Sequence, residues 1–138
     1  MREILFRAKW VDDFGNDSNF VYGYYVKLHE GKKKERHFIY TGYAEVDFFG
    51  TDDETWFPDK LKVNPDTVGQ YTGICDSNGK QIFEGDIITF PYRNRKETGV
   101  VSYVNGRFYV KNKVDLRNAE LYNVALFSKI YVIGNIHD

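Results

Sequence analysis

Few side chains in this sequence stand in patterns that do chemistry, and the nearest approach to one is Glu84-Gly85-Asp86. Two carboxylates two residues apart share a face of a regular strand, where they could act as an acid/base pair or hold a metal ion. Gly85 argues instead for a bend, with Asp86 accepting from local backbone amides. Asp76-Ser77-Asn78-Gly79 carries a fragment of a calcium-loop pattern. The full pattern needs further oxygen ligands and a late bidentate Glu, and an ordinary hairpin turn accounts for these four residues. His29 and His37 could face each other across a hairpin, with Glu30 and Glu35 as the nearest further ligands for zinc. Two exposed histidines at strand ends need no metal, however. Cys75 stands next to Asp76 and lacks the cationic surroundings that activate a thiolate. No serine occupies a Gly-x-Ser-x-Gly elbow, and Walker and Rossmann glycine loops are absent. These residues assign no catalytic, cofactor-binding or metal-ligating position. The expectation is a protein that is not an enzyme and uses no cofactor or small-molecule substrate.

Groups that could bind a partner are more plentiful. Lys32, Lys33, Lys34 and Arg36 form one basic loop, and Arg93, Arg95 and Lys96 a second, with Tyr92 and Tyr103 near the latter. Small β-barrels bind single strands by stacking bases on aromatics beside cationic loops. Lysines at hairpin tips are also ordinary solvated groups that discourage edge-to-edge aggregation. The overall balance, 19 basic against 20 acidic residues, lacks the basic surplus of most nucleic-acid binders. The stretch Glu45 to Asp59 is acidic and aromatic without a basic residue; its Phe48, Phe49, Trp56 and Phe57 are either local core or anchors of a homo-oligomer interface.

The elements that must position these groups are mainly strands. Aromatic content is 17%, with 11 Tyr and 11 Phe, which suits half-buried pleated surfaces better than a helix bundle. Ile4, Phe6, Ala8 and Trp10 alternate with Glu3, Leu5, Arg7 and Lys9 as a first strand with one buried face. After a turn over Asp12 to Asn19, Phe20, Tyr22, Tyr24, Val26 and Leu28 share a face of a second strand, whose partner is Arg36 to Tyr43. Asn64-Pro65-Asp66 makes a turn. Hairpins follow at Asp76 to Lys80 and, most clearly, at Asn105-Gly106, where Tyr103 should pair with Phe108 and Val101 with Val110. Asp86 to Phe90 reads as a strand ended by Pro91, and Arg93 to Glu97 as a charged loop. Leu116, Ala119 or Glu120, Asn123 or Val124, and Phe127 give a helical period over Asp115 to Phe127, with Asp115 as cap. Ile130 to Ile136 closes the chain as a strand with a bulge or bend at Gly134.

The 138 residues suit one domain, with a sub-boundary near 64–66 separating an N-terminal β region (1–63) from a C-terminal half (67–138). A single cysteine forms no intramolecular disulfide. No apolar run reaches signal-peptide or membrane-helix length, so the expected setting is the cytoplasm, with no membrane contact.

Thr67-Val68-Gly69-Gln70-Tyr71-Thr72-Gly73, the run Asp76 to Ile87, the hairpin Val100 to Val110, and Val132-Ile133-Gly134-Asn135-Ile136 together resemble the YopX-like family of bacteriophage and prophage proteins. The opening Arg2 to Arg7 with Val21-Tyr22-Gly23-Tyr24 matches as well, while residues 30 to 60 diverge. The resemblance implies an all-β, mainly antiparallel fold with a C-terminal pseudo-barrel capped by a short α-helix, beside an N-terminal β-hairpin region. It carries over no catalytic or binding residue. It implies a phage or prophage accessory protein in a bacterial host cell, read here as a non-enzymatic, self-associating scaffold or binding module. The alternative is a nucleic-acid-binding β-barrel using loops 32–36 and 93–96.

Overall fold

The computed structural model describes residues 4–32, 34–41, 60–112 and 119–138. Lys33 and the aromatic candidates Phe48, Phe49, Trp56 and Phe57 lie outside them. The chain divides into two compact units between Val68 and Gly69, just past the Asn64-Pro65-Asp66 turn: residues 5–68, and Ile4 with residues 69–138.

In the first unit, β1 (Phe6–Val11), β2 (Asp17–Glu30), β3 (Lys34–Tyr40) and β4 (Lys60–Lys62) pair antiparallel in the order β4-β3-β2-β1. The sheet curls until β1 meets the segment after β4, through a bridge between Trp10 and Val63 and a bond from Asn64 N to Lys9 O of 3.0 Å. Asn64 organises that corner: its side chain accepts from Asp66 N at the start of a 3-10 turn over Pro65–Thr67 and donates to the Asp17 carboxylate. Ala8, Ile39 and Val63 are buried here, with Phe6, Trp10, Val21, Tyr25 and Val68 packed against them. The core therefore takes the odd-numbered row of β2. The even row, with Tyr22, Tyr24 and Leu28, does share a face, but that face is exposed. Arg7, on the opposite face of β1 from Ala8, is also buried, with its guanidinium 4.5 Å from the centre of the Phe20 ring.

The second unit holds a hairpin of β5 (Gly69–Cys75) and β6 (Gln81–Phe83), and a five-stranded antiparallel sheet in the order β10-β9-β8-β7-β11. Its strands are β7 (Asp86–Tyr92), β8 (Arg95–Val104), β9 (Arg107–Lys111), β10 (Ala119–Glu120) and β11 (Tyr131–Asn135). The fold is thus all-β and mainly antiparallel, as the sequence predicts; among the described residues the five-stranded sheet is open, with β10 and β11 as its edges, and does not close into the expected barrel. The Asn105-Gly106 hairpin has its predicted register, Tyr103 opposite Phe108 and Val101 opposite Val110, and the two rings meet edge-on at 5.0 Å. The bulge predicted at Gly134 is present, as a register shift between Val132 and Gly134.

The helix α1 (Leu121–Phe127) covers the last part of the predicted Asp115 to Phe127, of which residues 115–118 lie outside the described residues. Ala119 and Glu120 pair with Val110 and Tyr109 in a strand, and Glu120 occupies the N-cap position of α1. Sheet hydrogen bonds to β9 outweigh a weak helical period here. Leu121 is fully buried in a core of Ile82, Ile88, Phe90, Val101, Phe108, Val110 and Ile130, so the helix packs within its own chain.

Gly23 of β2 lies against the backbone of Tyr40 at the end of β3. A Cβ built there would sit 2.0 Å from Tyr40 O, a backbone atom that cannot swing aside. Gly23→Ala should therefore destabilise the first unit by roughly 1–3 kcal/mol, read as a lower urea midpoint with unchanged m-value.

Candidate functional site

The β7–β8 hairpin builds the site. Tyr92 pairs with Arg95, leaving Arg93-Asn94 as a two-residue connection with φ of 47° and 63°. Positive φ at both positions is the type I′ turn that matches strand twist. The predicted charged loop is thus a tight turn followed by strand: Arg95 and Lys96 are already in β8, and Pro91 does not end β7 but pairs with Lys96. Proline is tolerated there because β11, the neighbour on the other side of β7, reaches only as far as Thr89.

That difference in length makes a step. β11 begins with Tyr131 opposite Thr89, while β7 and β8 run on to Tyr92 and Arg95. A cleft of about 360 Å³ lies at the step. Arg95, Lys96 and Lys129 line it with cations; Phe90, Pro91 and Tyr131 give it an apolar and aromatic side. Thr89 and Asn94 complete the lining, which among the described residues contains no acid. Thr89 Oγ1 is buried and has no hydrogen-bond partner among the described residues. By register Glu97 shares a face of β8 with Arg95 and pairs with Phe90, but it does not line the cleft. Arg93 does not line the cleft; it stacks beside it, with its guanidinium 5.2 Å from the Tyr92 ring centre.

Of the predicted basic residues, Arg95 and Lys96 enter this cleft, joined by Lys129 and Tyr131, which the sequence reading missed. Their signal is weak in sequence, because they come from the far end of the chain and meet Arg95 only through the register of β11 on β7. The other basic loop, with Lys32 and Lys34 exposed and Arg36 half-buried, belongs to the other unit and differs in its electrostatics. Within its strands, Glu35 binds Lys27 at 3.1 Å, so acid and base are interleaved. His29 and His37 do not face each other: His29 lies opposite Glu35 and His37 opposite Lys27. His37 is occupied by the Tyr25 hydroxyl at Nδ1 and approaches Glu35 at Nε2, 3.6 Å away.

The acidic candidates serve the backbone. Asp76 Oδ1 accepts from Asn78 N and Lys80 N at 2.9 and 2.8 Å, closing the β5–β6 turn, and its Oδ2 accepts from Val132 N at 3.0 Å. Asp86 is buried and accepts from Phe83 N at 2.8 Å across the bend at Gly85, the arrangement that the glycine predicts. Among the described residues no group of three or more His, Cys, Asp or Glu is placed to hold a metal ion. No helix among them is long and apolar enough to cross a membrane.

A family model described as YopX protein matches residues 6–138. Among solved structures, the chain is similar to the crystal structure of protein EF1440 from Enterococcus faecalis, at 24% identity and a TM-score of 0.53, over 99% of this chain and 95% of that one. No curated protein matches. At that identity the likeness speaks for the fold alone, so each residue's role rests on the geometry above.

Outside the cleft, Asp76 and Glu84 of the second unit have shifted affinities for protons. Burial alone would push Asp76 up, but the N–H groups of Val132, Lys80 and Asn78 hold it below its ordinary value. Its stabilisation is present above about pH 4 and fades as the pH falls through the depressed value. Burial pushes Glu84 up, opposed in part by the Gln70 N–H. Its effect has the other sign: the folded state favours the protonated acid, so stability is lost as the pH rises through the raised value. Glu84→Gln, which keeps an acceptor for Gln70, should make the protein more stable at pH 7, with the gain vanishing near pH 4. Urea unfolding at both pH values checks this, and equal stability at pH 7 would count against it.

Proposed function

We propose that this chain, which belongs to the YopX family, is a non-enzymatic accessory protein of bacteriophages and prophages that binds nucleic acid in the cytoplasm of the host. One observation carries the reading: Arg95, Lys96 and Lys129 converge on a single concave cleft with no acid among its described lining residues, next to Tyr131. Cations gathered this way release counterions from a phosphate backbone, which supplies most of the affinity in nucleic-acid binding. A net charge of −1 does not oppose this, because surface potentials are screened beyond roughly 8–10 Å at ordinary salt and the local set decides. The basic loop at Lys32 and Lys34 is the weaker candidate, since Glu35 already engages a neighbouring lysine.

Self-association is the second reading, favoured by the outer side of α1. Tyr122, Leu126 and Phe127 are 59%, 59% and 80% exposed there. Large apolar groups gathered on one short element are the usual anchors of protein contacts. Of the two, only nucleic-acid binding should weaken steeply with salt.

Fluorescence anisotropy with a labelled DNA should show affinity falling with salt. Three neutralised phosphates give a log–log slope between about −2 and −3, a loss of roughly 20-fold or more from about 50 to 200 mM. Replacing Arg95 and Lys96 together with Ala should cut both affinity and slope, whereas Lys32→Ala with Lys34→Ala should leave them nearly unchanged. An oligomer insensitive to salt, with no affinity for DNA, would decide for self-association.

A further inference from the structure

We infer that the cleft at the step between β7–β8 and β11 seats one unpaired nucleotide, so that the nucleic acid held by this chain is single-stranded. The inference rests on the reading above and adds the form of the strand. Its first support is size. About 360 Å³ is near the lower end of small-ligand sites, room for one nucleotide and not for a duplex.

The second support is the mixture of groups. A duplex turns its bases inward and offers a basic surface mainly phosphates and sugars. Lysines and arginines alone would serve for that. This cleft combines cations with Tyr131 and Pro91, an apolar side that a phosphate leaves unused and a base can cover. Stacking of bases on aromatics beside cations is the recurring means of holding single strands, and it tolerates any sequence. Arg95 supplies a planar fork suited to phosphate oxygens, and Lys96 and Lys129 supply point charges.

The third support is Thr89 Oγ1. It is buried without a hydrogen-bond partner among the described residues, although Thr89 lines the cleft. A buried hydroxyl left in this state is unfavourable in the empty protein, and a ligand oxygen or base edge at the cleft would satisfy it.

The test uses the full chain and two fluorescein-labelled probes, an oligo(dT) of about 15 nucleotides and a duplex of equal length. Anisotropy at low salt should show the single strand bound at least about tenfold more tightly. Tyr131→Leu, which keeps an apolar residue in β11, should reduce single-strand affinity about tenfold and leave duplex binding unchanged. Thr89→Val is the second variant: it should melt at the same or a higher temperature while binding the single strand about threefold more weakly. A purely structural threonine would not move in those two directions at once. Equal affinity for both probes, with both variants binding as the wild type does, overturns the single-strand inference and leaves nucleic-acid binding standing. Failure to bind either probe overturns both.

Discussion

The Asp76 carboxylate holds the second unit in the form its cleft requires. One oxygen closes the β5–β6 turn on Asn78 N and Lys80 N, and the other reaches the backbone of β11 at Val132. Ser77 adds a reciprocal pair to Ile130, donating from its N–H and accepting at Oγ. Residues 130 and 132 are thereby tied to the same turn, and Tyr131 stands between them. Hydrogen bonds to a charged acceptor are worth about 1.5–3 kcal/mol each, more than neutral ones. A side chain of two carbons thus orients an edge strand that has neighbours on only one side.

Packing supports the same arrangement from beneath. Ile130, directly before Tyr131, is buried in the cluster with Ile82, Ile88 and Phe90, so the segment is anchored through its side chain as well as its backbone. Phe90 belongs both to this core and to the lining of the cleft. Full burial of such side chains contributes about 1.5–3 kcal/mol apiece. The cleft is therefore set into a rigid part of the sheet rather than into a long loop, the placement that keeps a binding site in one geometry.

What the sequence made legible follows from which rules are local. Asn105-Gly106 is decisive because two residues determine the turn and the turn determines the register of both strands. Gly134 marks the bulge for the same reason. The buried face of β2 is not legible, since Phe20, Tyr22 and Tyr24 make a better apolar row than Val21, Gly23 and Tyr25. Period-two patterning says that two faces exist; which one is covered depends on where β1, β3 and the Val63 segment fall. The start of α1 fails similarly, because the pairing of Ala119 with Val110 is a tertiary fact. Arg95 and Lys96 could be picked out as charge, but Lys129 and Tyr131 join them only when β11 is laid on β7.

The two tight hairpins of the five-stranded sheet make an internal comparison. At Asn105-Gly106 the backbone takes φ of 49° and 84°, and the sequence supplies the residues that tolerate it best. At Arg93-Asn94 it takes 47° and 63°, and the first position carries an arginine. A left-handed conformation costs an ordinary side chain about 1–2 kcal/mol, and arginine has no short polar group with which to offset it. Stability alone favours Asn or Gly at position 93, the solution found at Asn105-Gly106. The arginine lies across the Tyr92 ring at the rim of a cleft already lined by Arg95, Lys96 and Lys129. The strained turn thus holds one further cation, against the Tyr92 ring, beside the cations that line the cleft.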